Sequence, residues 1–399
     1  MGAYEVEETQ VEQGWDFGDG YVCAQCVDDE ALARKITVDA VTDGACDYCT
    51  GRPAAPLDTL LAAFFDGLHT EYGLAGGELA YFGGELVPSE SWDGDELVDE
   101  YADVLVPGAL QEAVRQAARA DDVWVRRHFI EPRRDQALLD GWERFSEQVK
   151  YRTRHVFWLA PPHEKEAYLG GGEIPAADVL QALGDLIPDA GLVRELDPGQ
   201  RLWRARAHQA DEHPLSAREL GTALPEQARR PNRMSPAGIP LFYGADSRQT
   251  AIDEVARHVA GRGWRVTSAA FEITRPCTVI DFTRLAPVPT IFDTGRSHVR
   301  HALNFLHQFT ERISADTDGH EHLAYVPTQI VTEYLLKVFS AQRPVDGLVF
   351  TSSAAIDSGV CTVLDIPQGR CFDLTGPEPD GHPALRMVPS TLLSDQPLL

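Results

Sequence analysis

The stretch Arg233 to Val255, RMSPAGIPLFYGADSRQTAIDEV, constrains the fold of this chain more than any other, because it joins a Gly/Pro-rich turn, a strand and a capped helix without a break. Pro236, Gly238 and Pro240 punctuate the backbone ahead of an apolar run, Ile239 to Tyr243, that reads as a buried strand. Asp246 or Ser247 then caps a helix from about Arg248, with Ile252 and Val255 facing inward and Glu254 near the first turns. An aromatic hydroxyl and a carboxylate are thereby held at one strand-to-helix corner.

A chain of 399 residues exceeds one ordinary domain and divides into two or three. No apolar run approaches membrane-spanning length, and the N-terminus MGAYEVEETQ is acidic where a signal peptide is basic and then apolar, so a soluble, cytoplasmic protein is expected. A net charge of −27, spread along the chain, argues against a nucleic-acid surface, since Asp and Glu repel phosphates. Lysine occurs only at positions 35, 150, 165 and 337.

Four cysteines stand as Cys23-Ala-Gln-Cys26 and Cys46-Asp-Tyr-Cys49, with 19 residues between the pairs. Each Cys-x-x-Cys turn aims two thiolates at one point, and two such turns complete a closed tetrahedral zinc site with no open position for chemistry. Two disulfides or scattered thiols are the alternatives; the expected compartment favours a structural Zn2+, which would supply folding energy to an Asp- and Gly-rich segment. Cys277, Cys361 and Cys371 read as core residues of strands. From Pro56 to about Tyr151 the pattern is helical, with Leu57, Leu60, Leu61, Phe64 and Phe65 at three- and four-residue spacing, and further helices at 109–120 and 136–149. Val123 to Ile130 alternates as an extended segment, and His128 within it reads as a structural residue. After about Leu192 short strands alternate with helices, so the fold class is α+β.

Four segments of this last part carry chemistry. Arg204 lies in the alternating strand LWRARAH, and an Arg on a buried face calls for an anion. The Tyr243/Glu254 corner is the second segment, YVPTQ at 325–329 leading into a helix is the third, and DGLVFTSS at 346–353, an apolar strand ending in hydroxyls, is the fourth. Tyr325 and Gln329 either orient a pocket or pack in the core.

Arg204, the stretch 233–255, YVPTQ and GLVFTSS together resemble the RES family, over roughly residues 195 to 370, and WERFSEQVKYRTRHVFW at 142–158 resembles the HEPN-related helical domain that precedes some RES proteins. The resemblance implies an ADP-ribosyltransferase-like split β-sheet fold that consumes NAD, by hydrolysis, by phosphorolysis or by transfer of ADP-ribose to a protein, commonly as a toxin with an antitoxin partner. Carried over by position, it implies Arg204, Tyr243, Glu254 and Ser352 as catalytic. Ser353 is a rival to Ser352, since Thr351 stands where Pro is often found. Glu254 suits stabilisation of an oxocarbenium-like sugar, Arg204 the pyrophosphate, Tyr243 packing against nicotinamide or its ribose, and Ser352 a neutral hydrogen bond. Arg233 either lines the site with them or caps its turn.

The expected layout is a four-Cys zinc segment at 1–55, a helical HEPN-like domain at 56–160, a connector at 161–191, a RES catalytic domain at 192–375 and a tail at 376–399. The leading reading is an NAD glycohydrolase or phosphorylase, a toxin or defence effector that partners NAD, an antitoxin or regulatory protein, or a second copy of itself. The alternatives are a protein ADP-ribosyltransferase and, in another class, a zinc-containing binding or regulatory protein without catalysis. Phosphorolysis needs a second anion site, for which Arg206 and Arg248 are candidates. A ribonuclease in the helical half is disfavoured, because no Arg between Pro56 and Trp158 has a His following after a gap of four to six residues.

Overall fold

The computed structural model describes residues 13–75, 81–82, 85–86, 90–127, 131–159, 172–257, 259, 263–314, 321–339, 344–352, 359–374 and 384–398. His128 and Ser353 lie outside these. The chain forms two compact units, one of residues 1–134, 170–172 and 287–301, the other of residues 135–169, 173–286 and 302–399.

In the first unit, β1 (Tyr21–Val22) pairs with β2 (Ala55–Pro56), and β3 (Tyr72–Leu74), β7 (Trp124–Arg126) and β6 (Ser91–Trp92) make a small antiparallel sheet; β4 (Tyr81–Phe82) and β5 (Glu85–Leu86) form a hairpin. Its helices span Glu30–Asp39, Leu57–Leu68, Gly94–Glu100 and Ala109–Ala117. The Leu57–Leu68 helix buries Leu60, Leu61, Phe64 and Phe65 along one stripe, against Trp124 and against Phe292 from the returning segment. The cysteine segment shares this core, with Cys23, Cys26 and Cys46 in it.

The second unit is a mixed α+β body built on a ten-stranded sheet. Its strands are β8 (Val193–Leu196), β9 (Arg201–His208), β10 (Phe242–Ala245), β11 (Arg265–Ile273), β12 (Cys277–Asp281), β13 (Gly347–Thr351), β14 (Val360–Leu364), β15 (Cys371–Asp373), β16 (Leu385–Met387) and β17 (Leu393–Pro397). They run in the order β15-β16-β11-β9-β10-β14-β13-β12-β8, with β17 also paired to β11; β12/β13 and β15/β16 are parallel, the other pairs antiparallel. β9 and β11 pair over eight positions, whereas β9 and β10 share one, Ala245 with Trp203. The site lies where the sheet is held by this single rung. One core packs helices 134–151, 179–189 and 326–337 against Ile280, Leu348, Phe350 and Val363; another, with Phe242, Phe271 and Val279, covers the opposite face.

The expected strand from Ile239 begins only at Phe242. Pro236 to Ile239 closes a turn in which the Ile239 N–H bonds to the Pro236 carbonyl, Gly238 sits at φ 85°, and Ile239 is 42% exposed. Two prolines and a left-handed glycine keep this segment out of the ladder until it passes Pro240.

Candidate active site

A pocket of about 190 Å³ is lined from β9 by Trp203, Arg204 and Ala205, from β10 by Tyr243 to Ala245, from the Arg248–Ala256 helix by Glu254, and from β13 and β14 by Phe350, Thr351 and Cys361. Asn232, Arg233, Arg257 and Tyr325 complete much of the wall.

Ser247, not Asp246, caps the helix: its side chain accepts from the Thr250 N–H at 3.0 Å, so the helix starts at Arg248. Six residues on, about one and two-thirds turns, Glu254 turns to the pocket. Its Oε1 accepts from the Ser352 hydroxyl, which follows the last residue of β13, and from the Cys361 thiol at 3.6 Å. Ser352 is itself buried, its backbone N–H bonded to the Gly359 carbonyl at 2.7 Å. Two donors converging on one carboxylate oxygen fix its rotamer and leave Oε2 free of hydrogen bonds among the described residues. Cys361 is buried, as its strand context predicts, but it also walls the pocket, because its cross-strand partners are Ala245 on β10 and Phe350 on β13.

Tyr243 contributes a ring. Its hydroxyl accepts from the Met234 N–H at 3.2 Å and pairs with Ser235 Oγ at 3.1 Å, so the turn that precedes β10 consumes the polar end, and burial pushes its pKa up to about 12. That turn is clamped in its own right. Thr328 Oγ1 donates to the Arg233 carbonyl at 2.6 Å and Gln329 Nε2 to the Asn232 carbonyl at 2.7 Å, both from the first turn of the Val326–Lys337 helix. YVPTQ therefore orients the pocket through the backbone of 232–235, and Tyr325 lines it directly. Arg233 donates to the Ile313 carbonyl at 2.8 Å and lies over the Tyr325 ring at 5.2 Å, so it both holds this wall and presents charge to it.

Among the described residues, Arg204 meets no carboxylate. Its Nε donates to the Leu220 carbonyl and its Nη1 to the Tyr243 carbonyl at 2.7 Å, with the guanidinium 4.9 Å from the Phe242 ring centre. Burial pulls its pKa down to about 10. The guanidinium is thus pinned in place by neutral acceptors, with no carboxylate among the described residues to offset its charge, a standing attraction for an anion. Arg248, by contrast, stacks on Trp203 at 4.4 Å and donates to Ser268 Oγ at 2.7 Å and the Thr391 carbonyl at 2.5 Å, which makes it a brace between the helix and β11.

Arg204, Tyr243 and Glu254 thus wall one pocket and Ser352 reaches it through Glu254, whereas Ser353 lies outside the described residues. Asn232, Arg257 and Cys361 join them without any sequence signal, since nothing in their local pattern separates them from loop, helix-end and strand residues elsewhere.

In the first unit, the sulfurs of Cys23, Cys26, Cys46 and Cys49 all lie within 4.8 Å of one another, with Cys23 to Cys49 at 3.3 Å, Cys26 to Cys46 at 3.6 Å and Cys23 to Cys26 at 3.9 Å. A tetrahedron with metal–sulfur bonds of ~2.3 Å has edges of about 3.8 Å, so four thiolates here fit one metal ion. None of the seven cysteines is joined in a disulfide in this structure, and the four sulfurs converge on one point. Gly51 abuts the cluster: a Cβ there would stand 2.9 Å from Cys23 Sγ. Among the described residues, no helix is long and apolar enough to cross a membrane.

No curated protein matches the chain. Residues 39–163 match HEPN/RES N-terminal domain 1, beginning after Cys26, and residues 201–384 match the RES domain, which holds the whole pocket. The chain is a RES-domain protein with an N-terminal HEPN/RES domain.

Proposed function

We propose that the second unit cleaves the nicotinamide–ribose bond of NAD and passes ADP-ribose to water or phosphate, as a toxin or defence effector. The observation that carries this reading is Glu254, a carboxylate with one oxygen held by Ser352 and Cys361, in a small pocket lined by Arg204, Arg233 and Arg257. Cleavage moves the C–N electron pair onto the nicotinamide nitrogen, neutralising the pyridinium, and leaves oxocarbenium character on the sugar. Glu254 Oε2 stabilises that charge or accepts a hydrogen bond from a ribose hydroxyl. The Tyr243 face packs on the nicotinamide or its ribose, and Arg204 offers its charge to the pyrophosphate. Water then adds to the sugar carbon with loss of a proton and gives ADP-ribose; phosphate gives the 1-phosphate ester instead. The single rung between β9 and β10 is compatible with an ADP-ribosyltransferase-like split sheet.

For the first unit we propose a structural zinc ion on Cys23, Cys26, Cys46 and Cys49. Burial pushes the Cys23 and Cys26 thiols up, so a divalent cation would offset the cost of keeping them as thiolates. Bound zinc would supply folding energy and no reaction step, since four sulfurs close its coordination.

The decisive experiment incubates the protein with NAD, with and without phosphate, and identifies products by mass spectrometry. Free nicotinamide with ADP-ribose, or with its phosphate ester, is expected. Intact NAD after long incubation overturns the reading, and ADP-ribose attached to a protein moves it to transferase.

A further inference from the structure

On the far side of Arg204 lies a second, larger pocket of about 980 Å³. Arginines 204, 206, 218 and 229 line it together with His213, and the acidic residues facing them are Glu212 and Glu219. Glu219 is already committed: its carboxylate accepts from the Leu215 and Ser216 N–H groups and from the Ser216 hydroxyl, which with Arg206 hold it below the ordinary carboxylate value. Arg206 is tethered to the rim through the Glu219 carbonyl at 2.8 Å. Arg218, Arg229 and His213 are exposed, and among the described residues their side chains make no hydrogen bond or ion pair. Four arginines in one wall are a concentration of positive charge in a chain of net charge −27, and such a concave patch focuses field onto an anion.

The two pockets differ in what they can hold. Sites that bury a ligand of drug size run to ~300–1,000 Å³, so the catalytic pocket, at about 190 Å³, takes a fragment and the basic pocket, at about 980 Å³, takes the larger remainder. They meet at Arg204, which lines both and whose guanidinium bonds reach the Tyr243 carbonyl on one side and the Leu220 carbonyl, next to Gly221, on the other. We infer that the basic pocket is the subsite for the phosphate-bearing ADP half of the dinucleotide, read by Arg206, Arg218 and Arg229, while Arg204 spans the junction. The inference rests on NAD being the substrate of the catalytic pocket. Planar guanidinium donors suit phosphate oxygens, and the open mouth leaves the adenine end room to lie along it.

The test titrates ADP and, separately, inorganic phosphate into the Glu254→Gln protein, and into the same protein carrying Arg218→Ala and Arg229→Ala. Both arginines are exposed, and unchanged melting confirms that the fold is kept. ADP is expected to bind, with a Kd at least about tenfold weaker after loss of the two arginines, as removal of charge-assisted bonds requires. With Glu254 intact, the same pair of substitutions is expected to raise KM for NAD about tenfold and to change kcat less than about twofold. An ADP Kd that ignores the arginines overturns the subsite, as does a Kd for phosphate that depends on them while that for ADP does not, an outcome assigning the pocket to a free acceptor. Failure of the two readings is separable. Arginine-dependent ADP binding by a protein that never consumes NAD keeps the subsite and removes the catalytic reading; NAD turnover with an unchanged KM does the reverse.

Discussion

A carboxylate near a helix start is ordinary until its neighbours are known, and Glu254 is set apart by the two donors that meet at its Oε1. Glu254→Gln removes the charge and keeps the shape, so NAD turnover is expected to fall by ~10²–10³ with melting unchanged, read by nicotinamide release. Ser352→Ala frees the carboxylate rotamer and is expected to cost less, about tenfold in kcat. Tyr243 separates ring from hydroxyl. Because its hydroxyl is spent on Met234 and Ser235, Tyr243→Phe is expected to keep turnover within about threefold while losing about 1 kcal/mol of stability; an equal collapse of turnover would give the hydroxyl a direct role. From sequence, the side-chain types and their order along the chain were readable. The direction in which each polar group points was not, since Met234, Ser235 and Cys361 become partners only through the turn and the cross-strand register.

At the level of elements, the capped helix at 248–256 follows the local code closely, with Ser247 as cap and Glu254 on its pocket side. Ser247→Ala is expected to cost about 1 kcal/mol in denaturant unfolding and to lower kcat through looser placement of Glu254. The strand before it follows the code less well: proline and glycine delay its entry, and sheet pairing decides where it begins. In the first unit, Glu71 is the informative residue. Burial pushes its carboxyl up, but the His301 hydrogen bond and the charges of His301, Arg300 and Arg133 hold it below the ordinary value of 4.5. A carboxyl depressed in the folded state contributes stability that is present above the unfolded pKa and lost as pH falls through the folded one. Glu71→Gln is therefore expected to cost about 3 kcal/mol at neutral pH, and the gap to wild type should narrow below about pH 4.5 in unfolding titrations.

For the whole molecule, the four-Cys cluster predicts one equivalent of zinc by metal analysis. Chelation, or Cys26→Ser, is expected to melt the first unit at lower temperature, because Cys26 belongs to its core as well as to the cluster. Residues 136–149 illustrate what sequence alone leaves open: their apolar spacing reads as a helix in the N-terminal half, yet Leu138, Trp142, Phe145 and Val149 pack into the core of the second unit. Periodicity shows that a helix has an apolar face; it does not say which body supplies the other half of the contact. By itself the sequence determined the short-range features: the Cys-x-x-Cys turns, the capped helix, the order Arg204, Tyr243, Glu254, Ser352, and the family to which that order points. These depend on spacing within a few residues or on matching a known pattern. Only the tertiary structure decided that Arg204 is pinned by carbonyls between two pockets, that Arg248 is a brace, and that positive charge collects beside the pocket that holds Glu254. Those facts are set by strands and loops far apart in the chain, whose packing no local pattern records.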